Sequence, residues 1–126
     1  MKTNKNPRAG QDQKKNSNGG YSNDFYGIKL ILDSGEEKNI TTLPVTIGRA
    51  QQNDIIIANK SVSNTHASLY FDMIINEVCI VDHESLNGIL VDGYPTCRNI
   101  LSDGNVVKLG KVSFTFRDTG YIHSER

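Results

Sequence analysis

The sequence predicts an all-β sandwich of about ten short strands. Three observations carry that expectation. Short apolar or alternating runs recur at regular spacing from Phe25 to Phe116. Turn-forming pairs such as Asp92-Gly93 and Gly110-Lys111 separate them. No stretch repeats its apolar residues with a helical period.

The elements follow in order. Residues 28–32 are apolar and β-prone, and Asp33-Ser34-Gly35 turns the chain into residues 38–43, the return strand of a hairpin. Residues 45–48 extend after Pro44. Residues 54–57 form another short strand, and residues 58–65 are a polar loop. Residues 66–72 set Ala67, Leu69 and Phe71 on one face and His66, Ser68 and Tyr70 on the other. Residues 77–82 are apolar through Val78, Cys79, Ile80 and Val81, as a strand covered on both faces would be. Residues 89–91 lead into Asp92-Gly93, a favoured two-residue hairpin turn. Residues 94–100 are the expected return strand, with Pro95 placing it at an edge. Ser102-Asp103-Gly104 turns again, and residues 106–109 and 112–116 close the fold as a hairpin with Phe114 and Phe116 on one face.

A chain of 126 residues has room for one domain plus a tail. Residues 1–24 hold no aliphatic side chain larger than Ala9 after Met1, so they cannot offset their ordering entropy and are expected to be disordered. The domain is expected over residues 25–119, and a flexible tail over residues 120–126. No apolar run approaches the ~20 residues that cross a bilayer, which argues against membrane insertion. The basic start has no apolar segment behind it, so no secretory signal is expected. Cys79 and Cys97 lack metal-ligand spacing, so no metal or other cofactor is expected; the reading is a cytoplasmic protein with reduced thiols.

Charge is balanced overall but unevenly spread. Residues 1–20 carry five basic side chains against Asp12, and the remainder carries nine basic against thirteen acidic. A slightly acidic body argues against nucleic acid binding by the folded part and leaves such a contact to the basic residues 1–20 alone.

The chemistry concentrates between Thr46 and Gly93. Gly48-Arg49, Ser63-Asn64-Thr65-His66 and the run from Asp82 to Asn87-Gly88 place hydrogen-bond donors in loops between strands. None of them is a nucleophile with a base beside it. The pattern is that of an anion receptor and not of an enzyme.

Gly48-Arg49, then Ser63-x-x-His66, then Asp82-x-x-Ser85-x-Asn87-Gly88, then Val91-Asp92-Gly93, resembles the forkhead-associated (FHA) domain family over about residues 27–117. The resemblance implies an FHA-like (SMAD/FHA) sandwich of about ten or eleven mostly antiparallel strands in two sheets, whose loops at one end bind phosphothreonine peptides. It implies a signalling adaptor downstream of Ser/Thr kinases, with a phosphate-independent scaffold of the same fold as the alternative. By the same resemblance Arg49 and Ser63 contact the phosphate. Asn64 holds a place more often taken by arginine or lysine, and Asn87 grips the peptide main chain. Gly48, His66 and Gly88 support the site.

Leu86 departs from the family pattern, which has threonine or serine there. Losing that hydroxyl removes one hydrogen bond, about 0.5–1.5 kcal/mol, or up to ~3 kcal/mol if charge-assisted. Ser85 is the candidate substitute, although strand alternation turns neighbours to opposite sides.

Overall fold

The computed structural model describes residues 24–119. The tails expected over residues 1–24 and 120–126 lie outside them, apart from Asp24, which opens the first strand. Eleven strands follow: β1 (Asp24–Leu32), β2 (Glu37–Thr42), β3 (Val45–Gly48), β4 (Ile55–Ile56), β5 (Ala67–Asp72), β6 (Glu77–Asp82), β7 (Ile89–Val91), β8 (Tyr94–Thr96), β9 (Arg98–Ile100), β10 (Val106–Leu109) and β11 (Val112–Asp118). The six-stranded sheet runs β2-β1-β11-β10-β7-β8 and the five-stranded sheet β4-β3-β5-β6-β9. Every pairing is antiparallel except β3 with β4. Among the described residues no helix is long and apolar enough to cross a membrane.

Alternation decides what is buried. Leu30, Leu32, Val107, Leu109, Phe114 and Phe116 face inward from one sheet, and Ile47, Ala67, Leu69 and Ile80 from the other. Burying side chains of this size contributes about 1.5–3 kcal/mol each before the entropy cost is set against it. Asp92 and Gly93 both take positive φ, 51° and 86°, and close the β7–β8 hairpin as expected.

Two expected strands are corrected. Residues 94–100 are not one strand. They break at Cys97 into β8, on the six-stranded sheet beside β7, and β9, on the five-stranded sheet beside β6. Thr96 Oγ1 donates to the Arg98 carbonyl at 2.7 Å and accepts from the Arg98 N–H at 3.2 Å, and this local loop lets the chain change sheets. The strand expected over residues 54–57 shortens to β4, because Asp54 instead accepts from the Thr46 backbone at 2.9 Å and its hydroxyl at 3.3 Å.

Val78, Cys79 and Ile80 are buried as the apolar run of β6 required, whereas Val81 at its end is half-buried. Cys79 pairs across β5 with Tyr70, and burial raises its thiol pKa, which makes it a poor nucleophile. Both cysteines are free thiols.

β1 reaches the same end of the sandwich as the β10–β11 turn, and β3 and β7 begin or end there too. That end gathers the segments around Arg49, Ser63 and Asn87.

Candidate functional site

The loop between β4 and β5, residues 57–66, is the hub to which three other loops are tied. The β3–β4 loop meets it through main-chain bonds from Arg49 N to Ser63 O (3.0 Å) and from Ala50 N to Asn64 O (3.2 Å). Such close approach leaves no room for a side chain at Gly48, where a Cβ would collide with the Asn64 carbonyl and lie 2.7 Å from Asn53 Nδ2.

Asn53 locks the same junction. Its side chain is buried, and Nδ2 donates to Ala50 O at 2.8 Å and to Asn64 O at 2.6 Å. Sequence reasoning passed over Asn53, because an asparagine in a polar turn signals only the turn. Asn53→Ala leaves the Asn64 carbonyl short of a donor and is expected to cost about 1–3 kcal/mol of stability, read as a lower denaturant midpoint with an unchanged m value.

His66 fastens the loop from beneath. It is fully buried, its Nδ1 accepts from Ser63 N–H at 3.1 Å, and its Nε2 lies 2.8 Å from the Gly88 carbonyl. A carbonyl can only accept, so Nε2 carries the hydrogen and the ring is the neutral tautomer with Nδ1 bare. One side chain thereby joins the β4–β5 loop to the β6–β7 loop. Asp82 Oδ1 lies 4.0 Å from Nε2.

The β6–β7 loop is fixed residue by residue. Ser85 Oγ donates to Asp82 Oδ1 at 2.5 Å and accepts from Gly88 N at 2.9 Å. Its single proton is committed, so in this geometry it has no donor left to substitute for the hydroxyl missing at Leu86. Gly88 has φ 72°, in the left-handed region that glycine adopts without steric cost. Asn87 Nδ2 donates to Ser61 O at 2.8 Å, leaving its Oδ1 and one N–H unengaged among the described residues. Ser61 Oγ in turn accepts from Lys111 N at 2.7 Å, which ties in the β10–β11 turn.

On this frame two donors stand ready. Arg49 Nε donates to Val62 O at 2.9 Å, so the guanidinium is held by its inner nitrogen, and the two terminal nitrogens have no partner among the described residues. Asp54, a conceivable local partner, is occupied with Thr46 instead. Ser63 Oγ accepts from Leu86 N at 3.0 Å, which leaves its O–H free to donate outward. The Arg49 anchor and the Ser63 hydroxyl therefore sit on consecutive residues of one loop. Asn64 is exposed beside them, its side-chain amide without a partner among the described residues. The Leu86 side chain is 89% exposed on a backbone that the Ser63 hydroxyl holds in place.

Residues 45–110 match the family model of the FHA domain. The glycogen accumulation regulator GarA of Mycobacterium tuberculosis is 36% identical over 90 residues, covering 71% of this chain and 49% of that protein. The chain spans about half or less of the length of the curated relatives it matches. An FHA domain solved in a study of phosphothreonine-dependent FHA interactions superposes with a TM-score of 0.67 at 28% identity, covering 72% of this chain and 95% of its own. EmbR of M. tuberculosis, solved with a low-affinity phosphopeptide, superposes with a TM-score of 0.66 at 26% identity, covering 85% of this chain and 27% of its own.

Proposed function

This chain belongs to the FHA domain family, and from that premise we propose that it recognises phosphothreonine in partner proteins, as a signalling adaptor downstream of Ser/Thr kinases. FHA domains are protein-interaction modules. One observation carries the reading: the outer nitrogens of Arg49 and the hydroxyl proton of Ser63 are left without partners among the described residues, while Asn53, His66 and Ser85 bond the loops that hold them.

A phosphothreonine carries about −1.5 to −2 charges at neutral pH and three acceptor oxygens. Arg49 offers a planar fork that cannot lose its proton and can take two oxygens, and Ser63 takes the third. Asn64 adds an amide donor to the rim. Asn87, steadied by Ser61, presents its remaining amide atoms to the peptide main chain. Gly48, His66, Gly88 and Ser85 hold the loops at the spacing this needs. The domain is residues 25–119 with a tail on either side, acts without catalysis or cofactor, and works in the cytoplasm beside the kinases that supply its ligand.

Leu86 favours a second reading, a scaffold of the same fold that binds without phosphate. Its exposed apolar side chain stands where the family has a hydroxyl, and Asn64 brings no charge. Leu86→Thr distinguishes the two. If phosphate is the ligand, the added hydroxyl is expected to strengthen phosphopeptide binding by about 0.5–1.5 kcal/mol in a calorimetric titration.

Degenerate peptide libraries carrying phosphothreonine, phosphoserine or unmodified threonine test the function itself. Retention of the phosphothreonine library alone is the expected result. Equal retention of the unmodified library would leave the scaffold reading in its place.

A further inference from the structure

The β5–β6 hairpin outruns the rest of its sheet. β3 pairs with β5 over residues 67–69, and on the other side the last bond runs from Leu101 N to Val78 O at 2.8 Å. The Asp72–Glu77 pair and the turn of residues 73–76 project beyond both neighbours. That turn is fixed by its own bonds. Asp72 Oδ1 accepts from the Ile74 N–H at 3.0 Å and the Ile75 N–H at 3.4 Å, and Asn76 N donates to Asp72 O at 2.7 Å. Turns favour polar residues and glycine. This one presents Met73, Ile74 and Ile75, 80%, 95% and 46% exposed, and Ile74 is the most exposed large apolar side chain among the described residues.

The apolar tip lies at the end of the sandwich opposite Arg49 and Ser63, because β5 leaves the site at Ala67 and reaches the turn at Asp72. β1 enters at that same end. Its Leu32 pairs with Phe114 near the site, whereas Asp24 pairs with Thr42 at the other extreme. Residues 1–20, with five basic side chains against Asp12, therefore join the domain on the side of the tip. Lys14 and Lys15 precede Asp24 by about ten residues, at most ~35 Å of chain. The folded part adds no attraction for an anion here. Asp72 and Glu77 flank the turn, Asp92 accepts from Asn105, and Arg117 is paired with Asp103.

We propose that the β5–β6 turn docks on an anionic lipid bilayer, with Met73, Ile74 and Ile75 entering the headgroup layer and residues 1–20 supplying the electrostatic attraction. The contact lies on the membrane and does not span it. Three side chains expose on the order of a few hundred Å², short of the ~800 Å² per partner of a standard protein interface. A bilayer asks for less, since a small apolar insertion and a basic segment together hold a protein that neither holds alone. The bonded turn keeps its apolar side chains presented, so little ordering is left to the moment of contact. Docked this way, the Arg49–Ser63 pair faces away from the bilayer and stays open to its ligand.

The test is cosedimentation of the full chain with vesicles of phosphatidylcholine alone, or of seven parts phosphatidylcholine to three parts phosphatidylserine. The variants are M73S/I74S, which changes two exposed side chains, and K2Q/K5Q/R8Q/K14Q/K15Q. The wild type is expected to bind the mixed vesicles and to bind phosphatidylcholine about tenfold or more weakly. Each variant is expected to lose about tenfold or more on the mixed vesicles, and raised salt to weaken the wild type while M73S/I74S melts as the wild type does. No binding of the wild type to mixed vesicles overturns the proposal. Binding that M73S/I74S leaves intact overturns the part of the tip, and binding that survives the glutamine variant overturns the part of residues 1–20. Self-association in sedimentation velocity that M73S/I74S abolishes, without vesicle binding, gives the tip to a second copy of the chain instead.

Discussion

Arg49→Ala is expected to weaken phosphothreonine-peptide binding by about 2–5 kcal/mol, a loss of roughly thirtyfold to several-thousandfold. The size follows from what the guanidinium does alone. Ser63 and Asn64 contribute neutral donors, whereas Arg49 brings the one formal charge fixed within the donor group itself, and its Nε bond to Val62 O orients it beforehand. A positioned donor loses little rotamer freedom when the ligand arrives. Arg49→Lys keeps the charge but not the fork, and it is expected to recover only part of the affinity. Arg49 is exposed and makes a single bond to the fold, from Nε to Val62 O, so the alanine variant is expected to lose only about 0.5–1.5 kcal/mol of stability, and calorimetry and a melting curve together separate lost binding from lost fold.

His66→Ala carries the second large effect, and it falls on the fold. Removing the ring strands the Ser63 N–H and the Gly88 carbonyl, both of which it now satisfies, and opens a cavity at a fully buried position. An unsatisfied buried group costs about 1–3 kcal/mol and large-to-small core changes about 2–5 kcal/mol, so a loss of about 3–5 kcal/mol is expected. For a domain of this size each kcal/mol lowers Tm by about 4–8 °C, so a fall exceeding ~10 °C is the readout. Binding should weaken as well, since Ser63 and the β6–β7 loop no longer hold their separation. A His66→Ala protein with unaltered melting and binding would mean that the ring does not join the two loops.

The frame of the sandwich was legible because it is written in local chemistry. The alternation of Ala67, Leu69 and Phe71 assigned the inner face of β5, and Asp92-Gly93 named its own turn. The break at Cys97 was not legible. Residues 94–100 read as one extended run, and only the pairing of β8 and β9 with different sheets reveals the crossing. The site divides in the same way. Arg49, Ser63, Asn64 and Asn87 stood out through the family's motif order. Which atom of each is free depends on partners distant in sequence, such as Val62 O for Arg49 and Leu86 N for Ser63. Asn53 was missed for that reason, since its 2.6 Å bond to Asn64 O exists only after the two loops meet. Ser85, weighed as a replacement donor for Leu86, is turned instead to Asp82, where it shapes the loop.

The central claim is that Arg49 and Ser63 receive the phosphate. A nitrogen-15 NMR titration tests it most directly, with a phosphothreonine peptide and its dephosphorylated twin added to separate samples. The expected result is early, phosphate-dependent shifts of the Arg49 Nε–H and of the Ser63, Asn64 and Leu86 amides, with the β5–β6 turn at the far end unmoved. Shifts of equal size with both peptides, or shifts that spare Arg49 and Ser63, would contradict the account.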